Sequence, residues 1–317
     1  MAVFSLSGDD KGKTLAIIFS DGSTEIVSET HISFKALLNI FLEGGNDEDH
    51  IRELSQVIET TQKKMTALSE RVSVLDDKLL FDGDEISGYL MEVIKDLFVN
   101  GEKIELQPLV RFLEKASTNP SIDSVDDLYR WIKNGDLVID EDGDVISYKG
   151  TEEIDGVRYS LHSGKAYVDG VEVVGRIPYA EGSVVTMPRS EVNADRRVGC
   201  STGLHVGTHS YARNVGNVLL LVKFNPRDVV AVPEDCNGEK IRVSRLVVLK
   251  DSEDKQRLDT RYVETKVEVE DVAPPATPEE AKVAYAAKSY RDPKTGRFLK
   301  GGNAPRDPKT GRFLSGV

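Results

Sequence analysis

Two cysteines, Cys200 and Cys236, are all that this 317-residue chain contains. That is too few for a disulfide scaffold and suits a reducing cytoplasm. No apolar run approaches the ~20 residues a membrane-spanning helix requires, so no transmembrane segment is expected. The opening residues, MAVFSLSGDDKGK, lack a basic stretch followed by an apolar one, and no secretory signal is read there. Charge is what the chain has in quantity. Charged residues make up 30% and hydrophobic ones 39%, which fits a soluble protein with one moderate core and a large exposed surface.

The net charge of −13 is unevenly spread. Residues 284–317 hold eight Lys/Arg and two Asp, or +6, leaving −19 (−13 − 6) on the body. Such a body repels nucleic acid and anionic membranes, whereas the tail attracts either. Alternatively, the tail folds back on its own acidic body.

Six segments follow from pattern. Residues 1–45 read as a hairpin, LAIIF and TEIVS around Asp21-Gly22, then a helix over 33–43 carrying Phe34, Leu37, Leu38, Phe41 and Leu42. Residues 46–82 hold a coiled-coil-like helix. Ile51, Leu54, Ile58, Thr61, Met65, Leu68, Val72, Leu75 and Leu79 step by three and four, with Arg71 and Asp76 placed to pair across a parallel dimer. This predicts a homo-oligomer joined through 51–79; the alternative is an amphipathic helix packed on the chain's own core. Residues 83–134 read as helical: one helix capped by Asp84 and running to Asn100, one over 108–116, and one over 124–134 capped by Ser124. Residues 135–250 form a strand-rich module in which His162-Ser163-Gly164 separates VRYSL from KAYV and Asp169-Gly170 separates KAYV from VEVV. Within it only Thr208–Asn214 looks helical. Residues 251–287 read as a charged, Pro-rich linker. In the tail, 288–317, RDPKTGRFL occurs twice, at Arg291–Leu299 and Arg306–Leu314, with too little apolar area for a core and so disordered until bound. The fold class is α+β: a helical N-terminal third with a heptad helix, a strand-rich C-terminal module and a disordered basic tail.

Position-specific chemistry is densest between Thr186 and Arg213, where Gly199, Gly203 and Gly207 recur every fourth residue and frame a tightly turned segment around a strand. Cys200 as a thiolate with His205 or His209 as base is one reading. Cys200, His205 and His209 as three metal donors is another, short of the four a structural zinc site wants; no metal is assigned. A third is a buried polar network in which Arg189 and His205 satisfy backbone carbonyls. The candidate recognition set is Tyr148, Lys149, Arg189, Asp195, Cys200, Gly203, His205, Gly207 and Tyr211, with Arg189 and His205 facing one open cleft and nothing turned over. In the tail, Arg291, Lys294, Arg297 and Phe298, and again Arg306, Lys309, Arg312 and Phe313, offer cations and a ring to nucleic acid or to an acidic protein groove.

The same stretch resembles the rIIB-like proteins of tailed bacteriophages, the family called protector from prophage-induced early lysis. Met187-Pro188-Arg189, Asp195, Cys200-Ser201, Gly203–Gly207 and Tyr211-Ala212 carry the likeness. Phe112-Leu113, Asn119-Pro120-Ser121, Asp142-Gly143, Tyr148-Lys149, Asn225-Pro226, Asp228–Val230 and Val232-Pro233 extend it over about 100–250. The resemblance implies an early phage protein that works with an rIIA-like partner, protects infection from prophage-encoded exclusion and influences lysis timing. It also implies the cytoplasm of the infected host, association at its membrane, and no cofactor or enzymatic activity. Some relatives begin with a helix-turn-helix; the hairpin and heptads stand here instead. A second resemblance is to ADP-ribosyltransferases, through Tyr148-Lys149-Gly150-Thr151, Gly203–Val206 and Tyr211. Lys149 occupies the nicotinamide-ribose histidine's place, which implies a nucleotide-binding member without the transferase machinery that counters a host defence.

Overall fold

The structure, a computed structural model, describes residues 1–9, 12–29, 31, 33–75, 78–86, 106–134, 137–252, 255–260, 262–265, 267, 271–285, 289–291 and 298–300. It divides into two compact units, Met1–Val110 and Arg111–Val317.

In the first unit β1 (Val3–Asp9), β2 (Gly12–Ile18) and β3 (Thr24–Ser28) form an antiparallel sheet, the last two being the expected hairpin. Leu15, Ile17 and Val27 point to one face of it. There they meet Phe34, Leu37 and Phe41 of α1 (Phe34–Leu42) and Ile51 and Leu54 of α2 (Glu48–Ser55). Leu42, expected on the same helix face, is exposed.

The heptad helix does not form. Gln56 (φ −106°, ψ 16°) separates α2 from α3 (Val57–Leu68), and Ser69 turns the backbone extended. The last third of the seam is a hairpin of β4 (Val72–Leu75) and β5 (Lys78–Phe81), with β6 (Asp84–Glu85) beyond. The period lost to local chemistry. Val-Ser-Val-Leu carries β-branched Val72 and Val74 at alternate positions, and Asp82-Gly83 takes the positive φ that a tight turn needs. Arg71, read as an interchain partner of Asp76, instead donates from Nε to Asp82 Oδ1 at 2.9 Å. The N-terminal third is therefore mixed, not helical. Asp84 sits in a strand rather than capping a helix, and residues 87–100 of that expected helix lie outside the described residues.

The second unit opens within α4 (Leu106–Ser117) and continues with α5 (Ile122–Asn134). Ser121, not Ser124, caps α5, its hydroxyl accepting from Ser124 N at 3.2 Å. Ser124 is buried, and its own hydroxyl donates to Val230 O. Trp131 is buried on the same helix, with Nε1 donating to Glu239 O at 2.9 Å.

The strands of the module are β7 (Ile139–Asp140), β8 (Val145–Ile154), β9 (Val157–Val168), β10 (Val171–Pro178), β11 (Val184–Thr186) and β12 (Leu204–Gly207). After the short α6 (His209–Ala212) come β13 (Val218–Phe224), β14 (Val229–Ala231), β15 (Lys240–Val243) and β16 (Arg245–Asp251). Order β9-β11-β16-β13-β8 closes on itself because β8 also pairs β9, making a barrel-like ring. From β8 the sheet branches through β12 to β15 and β14. Residues 162–164 do not break a strand, since β9 runs through them, whereas the turn expected at Asp169-Gly170 forms, both residues at positive φ.

The described residues of 251–287, read as a linker, lie along the module. Leu258 N donates to the Tyr148 hydroxyl at 2.7 Å and Thr265 N to Glu141 at 2.9 Å. β17 (Tyr262–Val263) pairs β7 in parallel, and Arg189 N and Ser190 N donate to Pro275 O and Ala276 O. α7 (Pro278–Ala284) follows, capped by Thr277. In the tail, β18 (Ser289–Arg291) and β19 (Phe298–Lys300) pair antiparallel, so the ends of the first repeat form a ribbon. The second repeat lies outside the described residues. Among those described, no helix is long and apolar enough to cross a membrane.

Candidate functional site

The edge of β8 explains where the cavity lies. It pairs β12 at Tyr148 and β9 from Glu152 onward, so its neighbours part around Lys149 and Gly150. A cavity of about 410 Å³ fills that gap, walled by β8, β9, the end of β10, the 199–203 loop and β12. Of the nine recognition residues expected, seven line it: Tyr148, Lys149, Cys200, Gly203, His205, Gly207 and Tyr211.

Two do not. Arg189 turns to α5, donating to Asn119 Oδ1 (3.0 Å), Ser124 Oγ (3.2 Å) and Arg227 O (3.2 Å), so it bolts a loop to a helix and shares no cleft with His205. Asp195 chelates Arg197 at 2.9 Å on the surface, which holds its carboxyl down at about 2. The arginine at the imidazole is Arg242. It is fully buried, donates from Nε to His205 Nε2 at 3.4 Å, and gathers the loop by donating to the carbonyls of Asn193, Asp195, Val198 and Gly199. A charged residue inside the apolar run KIRVSRLVVL was the sequence signal for it, since a buried cation requires partners.

Lys149 sits at the floor. It is 8% exposed, its Nζ donates to His205 O at 2.8 Å, and the amine lies 4.7 Å from the centre of the Tyr179 ring. Burial alone pulls its pKa down to about 8. His205 is driven down to about 3, first by burial and then by the charges of Lys149, Lys240 and Arg242. Its imidazole is neutral at ordinary pH, and accepting at Nε2 requires its proton on Nδ1. Burial likewise raises Tyr211, to about 12. Gly207 lets the Tyr211 ring close over the strand, since a Cβ there would stand 2.6 Å from the ring.

The thiol and metal readings find no geometry. His209 faces a second cavity of about 140 Å³, with Nε2 2.7 Å from Lys255 O and its ring edge-on to Tyr148. Cys200 is exposed, and His205 gives its free nitrogen to Arg242. The three donors Cys200, His205 and His209 therefore do not converge, and among the described residues no group of three candidate ligands does. What the arrangement supports chemically is binding: a walled gap, the buried cations Lys149 and Lys240, and a base too weak for proton transfer near neutrality. Tyr179, Lys240 and Lys165 belong to the lining and were missed, Lys165 and Lys240 lying on strands and Tyr179 just past the end of β10, in stretches whose pattern gave no reason to single them out.

The family described as "Bacteriophage T4 protein rIIB" matches residues 11–260. The protein named "Protein rIIB" of Enterobacteria phage T4 is 30% identical over 243 residues, which cover 75% of this chain and 71% of that protein. No solved structure matches.

Proposed function

We propose, from the premise that this chain belongs to the bacteriophage T4 rIIB family, that it is a non-enzymatic phage accessory protein. It shields infection from prophage or host exclusion and influences lysis timing, working in the infected cell with an rIIA-like partner. The observation that carries the non-enzymatic part is the state of His205. Its ring is neutral, far below the range of a general base, and bonded to Arg242. The module then recognises and holds, and the basic tail tethers to an anionic surface.

Self-association is kept in a reduced form. Ile51 and Leu54 are used inside the unit, but Leu68, Val74 and Leu75 remain exposed and are the apolar side chains a second copy would cover. Plating tests the main reading. Phage lacking the chain should fail on a prophage-bearing host and plate on a prophage-free one, and equal plating on both would overturn it.

A further inference from the structure

Three lysines in the second unit are buried, and two of them have a counter-ion. Lys223 pairs with Asp140 at 2.8 Å, and Lys240 with Asp235 at 2.7 Å. Lys149 has no carboxylate within ion-pairing distance among the described residues, only one carbonyl and one ring face. An ammonium has three donors, and among the described residues the protein offers two of them neither an acceptor nor an anion, which is unfavourable for a buried charge.

The charge of the whole cavity points the same way. Lys149, Lys165 and Lys240 line it and no Asp or Glu does, although the body carries −19 (−13 − 6); Lys165 and Lys240 are paired with Glu172 and Asp235 behind the lining, so Lys149 is the lysine of the cavity left without a carboxylate among the described residues. A random sample of so acidic a surface would be rich in carboxylates. The lining also includes apolar side chains, with Ile177, Met187 and Val206 among them, and the Tyr179 ring beside the Lys149 amine. The volume falls within the range usual for small-molecule sites, where apolar walls and a few placed polar groups combine.

The geometry points to this cavity as the site of a small organic phosphate of mononucleotide size, whose phosphate supplies the missing partner of Lys149 while its organic body lies on the apolar wall. This rests on reading the cavity as a recognition site, and it names what is recognised.

Thermal melts of the full chain test it with four probes: inorganic phosphate, pyrophosphate, nucleoside monophosphates and diphosphates, and the unphosphorylated nucleosides. At about a hundredfold excess over Kd, a nucleotide should raise Tm by roughly 5–10 °C. The nucleosides should give no shift. In Lys149→Met the nucleotide shift should vanish while the unliganded protein melts at or above the wild-type temperature, which separates a lost ligand from a lost fold. No response to any phosphate, or a shift that survives Lys149→Met, overturns the assignment. Inorganic phosphate matching the nucleotides overturns the organic body. Silence here with prophage-dependent plating intact sinks only this inference; a shift with equal plating sinks only the proposed function.

Discussion

Burying an amine without a carboxylate destabilises a folded chain, and at Lys149 the sign can be worked out. Its folded pKa, about 8, lies below the ordinary 10.5. Between those values the unfolded chain binds more protons, so stability from this residue rises with pH, and the penalty is full below pH 8. His205 and the Tyr179 ring lie against it and bring no negative charge near neutrality. Lys149→Met should therefore stabilise the protein at pH 7 by about 2 kcal/mol, after allowing about 1 kcal/mol for the lost bond to His205 O. Urea melts should show that advantage shrinking from pH 8 to 10.5; an advantage that grew would reverse the argument. Gly207→Ala acts through space instead. With the Tyr211 ring 2.6 Å and Glu239 O 3.0 Å from the new methyl, it should cost about 1–3 kcal/mol in the same melts.

At the scale of elements, two contacts decide the account. Arg242 is the common post of the 193–199 loop, so Arg242→Met removes donors from several carbonyls at once. It should destabilise by about 3 kcal/mol or more and speed amide exchange in that loop first. The hairpin that replaced the heptads has its own test. Ser73 faces Leu80 across β4 and β5. Cysteines at those two positions, with Cys200 and Cys236 changed to serine, should oxidise within one chain. In a continuous helix the same residues stand roughly 10 Å apart and cannot bridge. Only interchain disulfides would restore the coiled coil. This region also shows what a sequence hides. Steps of three and four from Ile51 to Leu79 were real, yet a/d spacing says only which side chains are apolar, and β-branching with Asp82-Gly83 reassigned the last third. The hairpin at Asp21-Gly22, α1 and the strands of the module were legible because pattern and turn chemistry agreed there. In the cavity, seven of the lining residues could be read from a run of glycines, a histidine and tyrosines around one strand. Arg189 could not be placed, because an arginine beside such a run satisfies carbonyls on either side of it equally well in sequence. Lys165, Tyr179 and Lys240 arrive from segments distant in the chain, and only the parting of β9 from β12 brings them together.

Across the whole molecule, charge is segregated: −19 on the body, +6 on residues 284–317, and within the body a cavity whose ionisable lining is basic. The tail's eight cations predict binding to a polyanion that falls steeply with salt, by roughly two orders of magnitude or more between 50 and 200 mM if six or more phosphates are contacted. Fluorescence anisotropy on labelled single-stranded DNA, comparing the full chain with one ending at residue 287, reads this directly. Binding unchanged by truncation would place nucleic acid elsewhere, and binding to an acidic protein surface alone would favour the other tail partner. The central claim is that the lysine-floored gap between β8, β9 and β12 is where this rIIB-family protein does its work. A phage encoding Lys149→Met, plated on prophage-bearing and prophage-free hosts with the protein's level measured in both, tests it most directly. The account predicts normal protein level with plating on the prophage-bearing host reduced to that of phage lacking the chain. Normal plating on both hosts would contradict it.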